Sequence, residues 1–150
     1  MTLLPVMTAL ECRVGLGRVS VATDAIDMLS EYSVGARLPL TERLGYSVGV
    51  WRDEVVLSLS LSLVDGAAAR PTTGLLLATP GSAIRWAFEI VAPVGLVEIA
   101  ALAAPKSADM PWLRTATLSR GDAIQFVDVQ ALIGEIGELA LAGDRRTWRS

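Results

Sequence analysis

The carboxylates are the first residues to weigh for chemistry. Asp24, Asp27 and Glu31 fall close together, and Asp53 and Glu54 are adjacent. Paired carboxylates can serve as general acid and base, or hold a hard cation through oxygen. Neither group has the spacing of an EF-hand loop. The chain contains no histidine, and its one cysteine is Cys12. That excludes serine–histidine and cysteine–histidine nucleophiles, imidazole ligation, an internal disulfide and a cysteine zinc site. Cys12 lies in an alternating apolar run and reads as a small buried hydrophobe. Gly15 and Gly17 resemble part of a dinucleotide loop, but a third glycine and a following helix are missing, so a hairpin turn is expected. An enzyme built from this chain would rely on carboxylates, arginines, hydroxyls or backbone groups. The inventory favours binding over catalysis, with no catalytic residue, metal ligand or cofactor assigned.

The residues best suited to binding cluster around Trp51 and Arg52. Arginine and tryptophan are the types most enriched at interface hot spots. The guanidinium offers a planar fork of donors that suits a carboxylate-rich helical partner. Val48, Val50 and Val55 flank the arginine, as do Asp53 and Glu54. By pattern alone the valines and Trp51 belong to a core, and Arg52 could pair with Asp53 or Glu54. Trp112, after Pro111, is either a loop anchor or a buried plug. Trp148 stands in an arginine-rich ending with Arg145, Arg146 and Arg149.

These residues need a folded scaffold, and composition provides for one. Of 150 residues, 52% are hydrophobic and 19% charged, which places the chain among globular domains. One domain over residues 1–143 is expected, followed by an arginine-rich tail over 144–150. The formal charge is -3, which argues against a nucleic-acid partner. Residues 1–10 lack a signal peptide's basic region, and the apolar stretch 84–104 carries Arg85, Glu89, Glu98 and prolines. A cytoplasmic protein without direct membrane insertion is expected.

Periodicity supplies the elements. Residues 11–22 read as a hairpin turning at Gly15–Gly17. Residues 23–31 are either a short helix capped by Thr23 or Asp24, or an extended segment. Residues 35–40, with Pro39, read as a loop. From Tyr46 to Val64 runs the clearest strand region, where Leu57, Leu59, Leu61 and Leu63 alternate with Ser58, Ser60 and Ser62. That period of two buries a leucine face and presents a row of hydroxyls on the other. Residues 65–73 read as a loop, and 74–79 as a short strand. In 82–91, Ile84, Trp86, Phe88 and Ile90 share one face. A further apolar stretch covers 94–104. A hairpin is expected over 113–118 and 123–129, turning at 119–122. From Val129 to Leu141 the period becomes helical, with Asp128 as N-cap, although Gly134 and Gly137 weaken the helix.

The order of these segments resembles the CheW-like domain, the adaptor module of bacterial chemosensory arrays. Residues 11–31 resemble its opening hairpin, and Leu38–Pro39 its short proline loop. The stretch Gly45 to Leu57 is similar to its central signature, in which apolar residues lead into Arg-Gly and a following strand. Residues 86–99 resemble a segment with a Val-Asp pattern, and 121–133 the closing strand, aspartate and helix. Arg52 stands at the signature arginine, with Asp53 where glycine is usual, Leu57 at a proline and Ser60 at an aspartate. The resemblance implies a mainly β fold of two small intertwined five-stranded SH3-like barrels with a short C-terminal helix. It implies a non-enzymatic adaptor that couples the regulatory domain of a CheA-type histidine kinase to the cytoplasmic tip of a methyl-accepting chemoreceptor, or that serves a related motility pathway. Other CheW-like domains are further implied partners. The implied partner-binding residues are Arg52, Trp51, Val48, Val50, Asp53 and Glu54. Two other readings stand beside this one: a small-ligand-binding β-barrel sensor, and a small enzyme using carboxylates.

Overall fold

The computed structural model describes residues 7–15, 17–35, 38–39, 44–61, 70–79 and 84–136. Among these, eleven strands form two sheets, and one helix covers residues 129–136. The first sheet holds β1 (Met7–Val14), β2 (Gly17–Ala22), β9 (Ala92–Leu102), β10 (Leu113–Leu118) and β11 (Ala123–Val127). It closes into a barrel in the order β1-β2-β11-β10-β9. The closing pair of β11 with β2 is parallel and sets Phe126 opposite Ser20.

The second sheet is built from the intervening chain. Its strands are β3 (Ile26–Val34), β4 (Leu38–Pro39), β5 (Gly45–Trp51), β6 (Glu54–Ser60), β7 (Arg70–Leu77) and β8 (Arg85–Ile90). They run in the order β3-β7-β8-β6-β5-β4, and β3 also pairs with β5. The row therefore curls back on itself where Val34 meets Gly49. A side chain at Gly49 would drive its Cβ into the Ser33 carbonyl and to 3.1 Å from Val34 Cγ1, so this contact needs a glycine.

Three apolar clusters hold the molecule together. The largest lies between the sheets, where Cys12, Val19 and Val21 meet Leu59, Leu75, Phe88 and Trp112, with Leu132 and Ile136 from the helix. A second fills the curled sheet with Tyr32, Val34, Trp51, Val56, Leu76 and Ala87. A third fills the closed barrel with Ala9, Ile99, Ala116, Leu118 and Phe126. From Ser58 to Ser60 both faces of β6 are consequently buried. Leu59 and Leu61 enter the intersheet core, as expected, but Ser58 and Ser60 are buried too. The expectation of a displayed hydroxyl row is corrected, because those serines line the inside of the curled sheet. There the hydroxyls of Ser58 and Tyr32 share a hydrogen bond of 2.7 Å. Small side chains suit this face because the curled sheet leaves little room inside.

Other elements are redrawn in detail. Residues 23–25 form a single 3-10 turn and β3 follows, so the extended alternative holds over most of 23–31. Ala22 stands at the cap position, without a side-chain cap bond. Leu38–Pro39 is a two-residue strand, where a loop was expected. β7 begins at Arg70, inside the expected 65–73 loop. Asp128 caps the helix as expected, its Oδ1 accepting the Ala131 N–H at 3.2 Å. The expected helical residues beyond Ile136, the strand residue Leu63 and the 144–150 tail lie outside the described residues.

Candidate functional site

Strand register sets rows of side chains across β5, β6 and β8. Tyr46, Leu59 and Phe88 form the first row, and Val48, Leu57 and Trp86 the second. Val50 and Val55 form the third, extended by Ile84, which precedes the Arg85 that faces Val56. At the first row Leu59 and Phe88 are sealed in the intersheet core. At the far end the same face is open: Val48 is 53% exposed, Val50 52%, Val55 64% and Ile84 46%. One continuous apolar face is thus closed by the other sheet along part of its length and bare along the rest. Large apolar residues exposed singly are ordinary, whereas these four are neighbours on one sheet face and form a patch.

The β5–β6 hairpin carries this open end. Its turn residues Arg52 and Asp53 have φ of 47° and 66°. Positive φ at both central residues is the type I′ arrangement, whose twist matches that of the flanking strands. Glycine fits it without strain, and aspartate tolerates it better than most residues. Asp53 therefore keeps the left-handed backbone that a glycine would adopt there.

Behind the turn, Trp51 is buried within the curled sheet. Its indole N–H donates to Ser30 Oγ at 3.0 Å. The Arg52 guanidinium carbon lies 4.7 Å from the indole centroid, and that of Arg85 lies 5.2 Å away. The two cations differ in how they are neutralised. Arg85 donates to Asp27 Oδ2 at 2.8 Å and lies 3.7 Å from Glu54 Oε2. Arg52 forms no ion pair among the described residues, so its charge is held only by the aromatic face. The expected alternative of an Arg52 pair with Asp53 or Glu54 is not found; Glu54 turns to Arg85 instead.

Five of the six anticipated binding residues, Val48, Val50, Arg52, Asp53 and Glu54, are exposed together on this hairpin. Trp51 supports them from within and presents little surface. For Val48, Val50 and Val55 the structure overrides the core reading suggested by their pattern. Sequence reasoning missed Ile84, which completes the apolar row, and Arg85 and Asp27, which fix the hairpin's charges. The alternation of Ile84 with Arg85 was a usable signal, but the parallel pairing of β8 with β6 was not.

The remaining candidates go elsewhere. Asp27 faces Arg85, and no group of three metal-ligating side chains occurs among the described residues. Cys12 is buried, and burial, reinforced by the Glu11 charge, pushes its thiol up to about 11. Trp112 is the plug alternative, fully packed in the intersheet core. No helix among the described residues is long and apolar enough to cross a membrane. Trp148 lies outside the described residues. Comparison with protein-family models and with curated proteins finds no match to this chain.

Proposed function

We propose that this chain is a CheW-like, non-enzymatic adaptor of a bacterial chemosensory system. In this reading it joins the regulatory domain of a CheA-type histidine kinase to the cytoplasmic tip of a chemoreceptor, or serves a related motility pathway. The observation that carries it is the half-covered apolar face across β5, β6 and β8, with Arg52 unpaired at its open end. A protein surface with apolar side chains and a carboxylate would cover the valines and give the guanidinium the partner it lacks. A closed five-stranded barrel and a curled six-stranded sheet packed over a shared core support the same reading, as does the left-handed backbone at Asp53. Of the carboxylates weighed for chemistry, Asp27 and Glu54 are turned to Arg85.

The test is titration calorimetry with a CheA-type regulatory domain and a chemoreceptor tip from the same cells. Wild-type protein should bind at least one of them. Arg52→Glu should weaken that complex about thirtyfold, the effect of losing a hot-spot residue worth about 2 kcal/mol. Its circular dichroism melt should stay unchanged. Absence of binding to both partners would overturn the adaptor reading; binding that Arg52→Glu leaves intact would overturn the surface.

A further inference from the structure

Asp53 and Glu54 follow Arg52 directly in the chain, and among the described residues it forms an ion pair with neither. Strand register accounts for Glu54. It lies opposite Trp51 across the hairpin, so both side chains share the inner face of the curled sheet. On β8, Ala87 points to that inner face, whereas Trp86 and Phe88 enter the intersheet core. Arg85 is two residues before Ala87 and opposite Val56, so it emerges on the inner face as well. From there its Nε lies 3.7 Å from Glu54 Oε2, and its Nη1 donates to Asp27 Oδ2 at 2.8 Å.

These contacts span an opening in the curled sheet. β3 and β5 pair only at Ser33 with Val50 and at Val34 with Gly49. Past Val50 the hairpin reaches β3 through a side chain, the Trp51 indole N–H on Ser30 Oγ. Arg85 crosses the same opening from β8, taking Asp27 from β3 on one side and Glu54 from the hairpin on the other. Its side chain is only 30% exposed, against 58% for that of Glu54, so the guanidinium is the better anchored of the two. Arg52 and Arg85 both lie over the Trp51 indole, 4.7 Å and 5.2 Å from its centroid. A Glu54 carboxylate released by Arg85 would therefore find Arg52 as the neighbouring cation.

We propose that Arg85 is a positioning residue of the binding surface: it holds Glu54, and so keeps the Arg52 guanidinium open to a partner's carboxylate. The assignment rests on the adaptor reading, in which Arg52 meets that carboxylate. An internal pair of the strength usual at a surface would lower partner affinity by about two- to sixfold.

The first measurement needs no partner. Arginine Nε–Hε resonances of the isotope-labelled protein are followed while its carboxylates are titrated with acid. In the wild type, the titration of Glu54 should register at Arg85 Nε and leave Arg52 Nε unmoved. Arg85→Met removes the charge but keeps an unbranched apolar side chain beside Trp51. In that variant the titration should register at Arg52 Nε, and adding Glu54→Gln should remove the response. An Arg52 resonance indifferent to Glu54 in Arg85→Met would overturn the assignment, whatever becomes of the adaptor reading. The second measurement is calorimetry with the kinase domain and the receptor tip. Arg85→Met should weaken binding about threefold, and the same substitution made in a Glu54→Gln background should have almost no effect. Equal losses in both backgrounds would show a purely structural role and overturn the proposal. Resonances as expected, with no binding to either partner, would instead refute the adaptor reading and with it the role of Arg85 in binding.

Discussion

One strand offers a test in which the same substitution should have opposite outcomes. Val55 and Leu59 lie on the same face of β6, in the open and the closed row. Leu59→Asp removes a fully buried side chain, a loss of about 1.5–3 kcal/mol of transfer free energy. It also leaves a carboxylate among Leu75, Leu77, Phe88 and Trp112 with no cation in the cluster, a cost of several kcal/mol more. Together these reach the total stability of a typical domain, about 5–15 kcal/mol, so this variant should not fold. Val55 is already 64% exposed, so only about a third of its burial, roughly 0.5 kcal/mol, is forfeited. Weaker strand propensity adds up to about 1 kcal/mol. Val55→Asp should therefore fold, melting a few degrees lower, since about 1 kcal/mol moves the Tm of a domain this size by about 2–4 °C. Thermal melts by circular dichroism and urea titrations read both variants. A Leu59→Asp protein with a native melt would show that the first row is not core, and an unfolded Val55→Asp protein would show that the third row is not open.

Other parts of the fold can be tested in the same way. Gly74→Ala should destabilise by about 2–4 kcal/mol in urea titration, because the new Cβ would press on the Tyr32 hydroxyl and come within 2.7 Å of its Cε1 and 2.9 Å of the Phe88 carbonyl oxygen. Tyr32→Phe in the Gly74→Ala background should recover part of that loss; no recovery would refute the contact. Cys12 should resist thiol reagents at pH 8 until the protein unfolds, and rapid native labelling would refute its burial. Because the folded state holds the Cys12 proton to about 11 while an ordinary thiol loses it near 9.0, the contribution of this thiol to stability should be constant at lower pH. It should then fall between those values by of order 2–3 kcal/mol, and Cys12→Ala should abolish that fall. Asp128→Ala should cost about 1 kcal/mol and speed hydrogen exchange at Ala131, whereas Asp128→Asn should retain most of the cap; equal loss in both would point to the charge rather than the cap.

How much was legible follows from the range of each signal. Local signals read well. The Gly15–Gly17 turn, the hairpin at 119–122, the Asp128 cap and the alternation of Val55 to Leu61 each depend on a few consecutive residues. The wrong face of Ser58 and Ser60 had a different origin. A period of two shows that two faces differ, but not that both are covered; the curling of the sheet decides that, through a pairing of Ser33–Val34 with Gly49–Val50. The valines illustrate the converse limit. Val48 and Val50 have the composition of a core strand, and only the extent of the opposing sheet leaves them bare. Arg52 was found by its residue type beside tryptophan, but its lack of an ionic partner depended on Asp27, distant in sequence, drawing Arg85 away.

The order of the strands has a consequence for how the chain reaches this structure. The curled sheet uses one unbroken stretch, residues 26–90, whereas the closed barrel takes two strands from before it and three from after it. Pairing Leu10 with Leu96 in an open chain means closing a loop of more than eighty residues. Once β3 and β7 pair, the Ala78 N–H reaches the Ala25 carbonyl and the intervening chain no longer has to be searched. The inserted sheet thus acts as a splint that brings two remote ends within reach. On a ribosome β1 and β2 emerge first, but their barrel must wait for β9, β10 and β11. Until then Cys12, Val19 and Val21 have no finished core to enter, and that interval is when the nascent chain is most open to wrong partners.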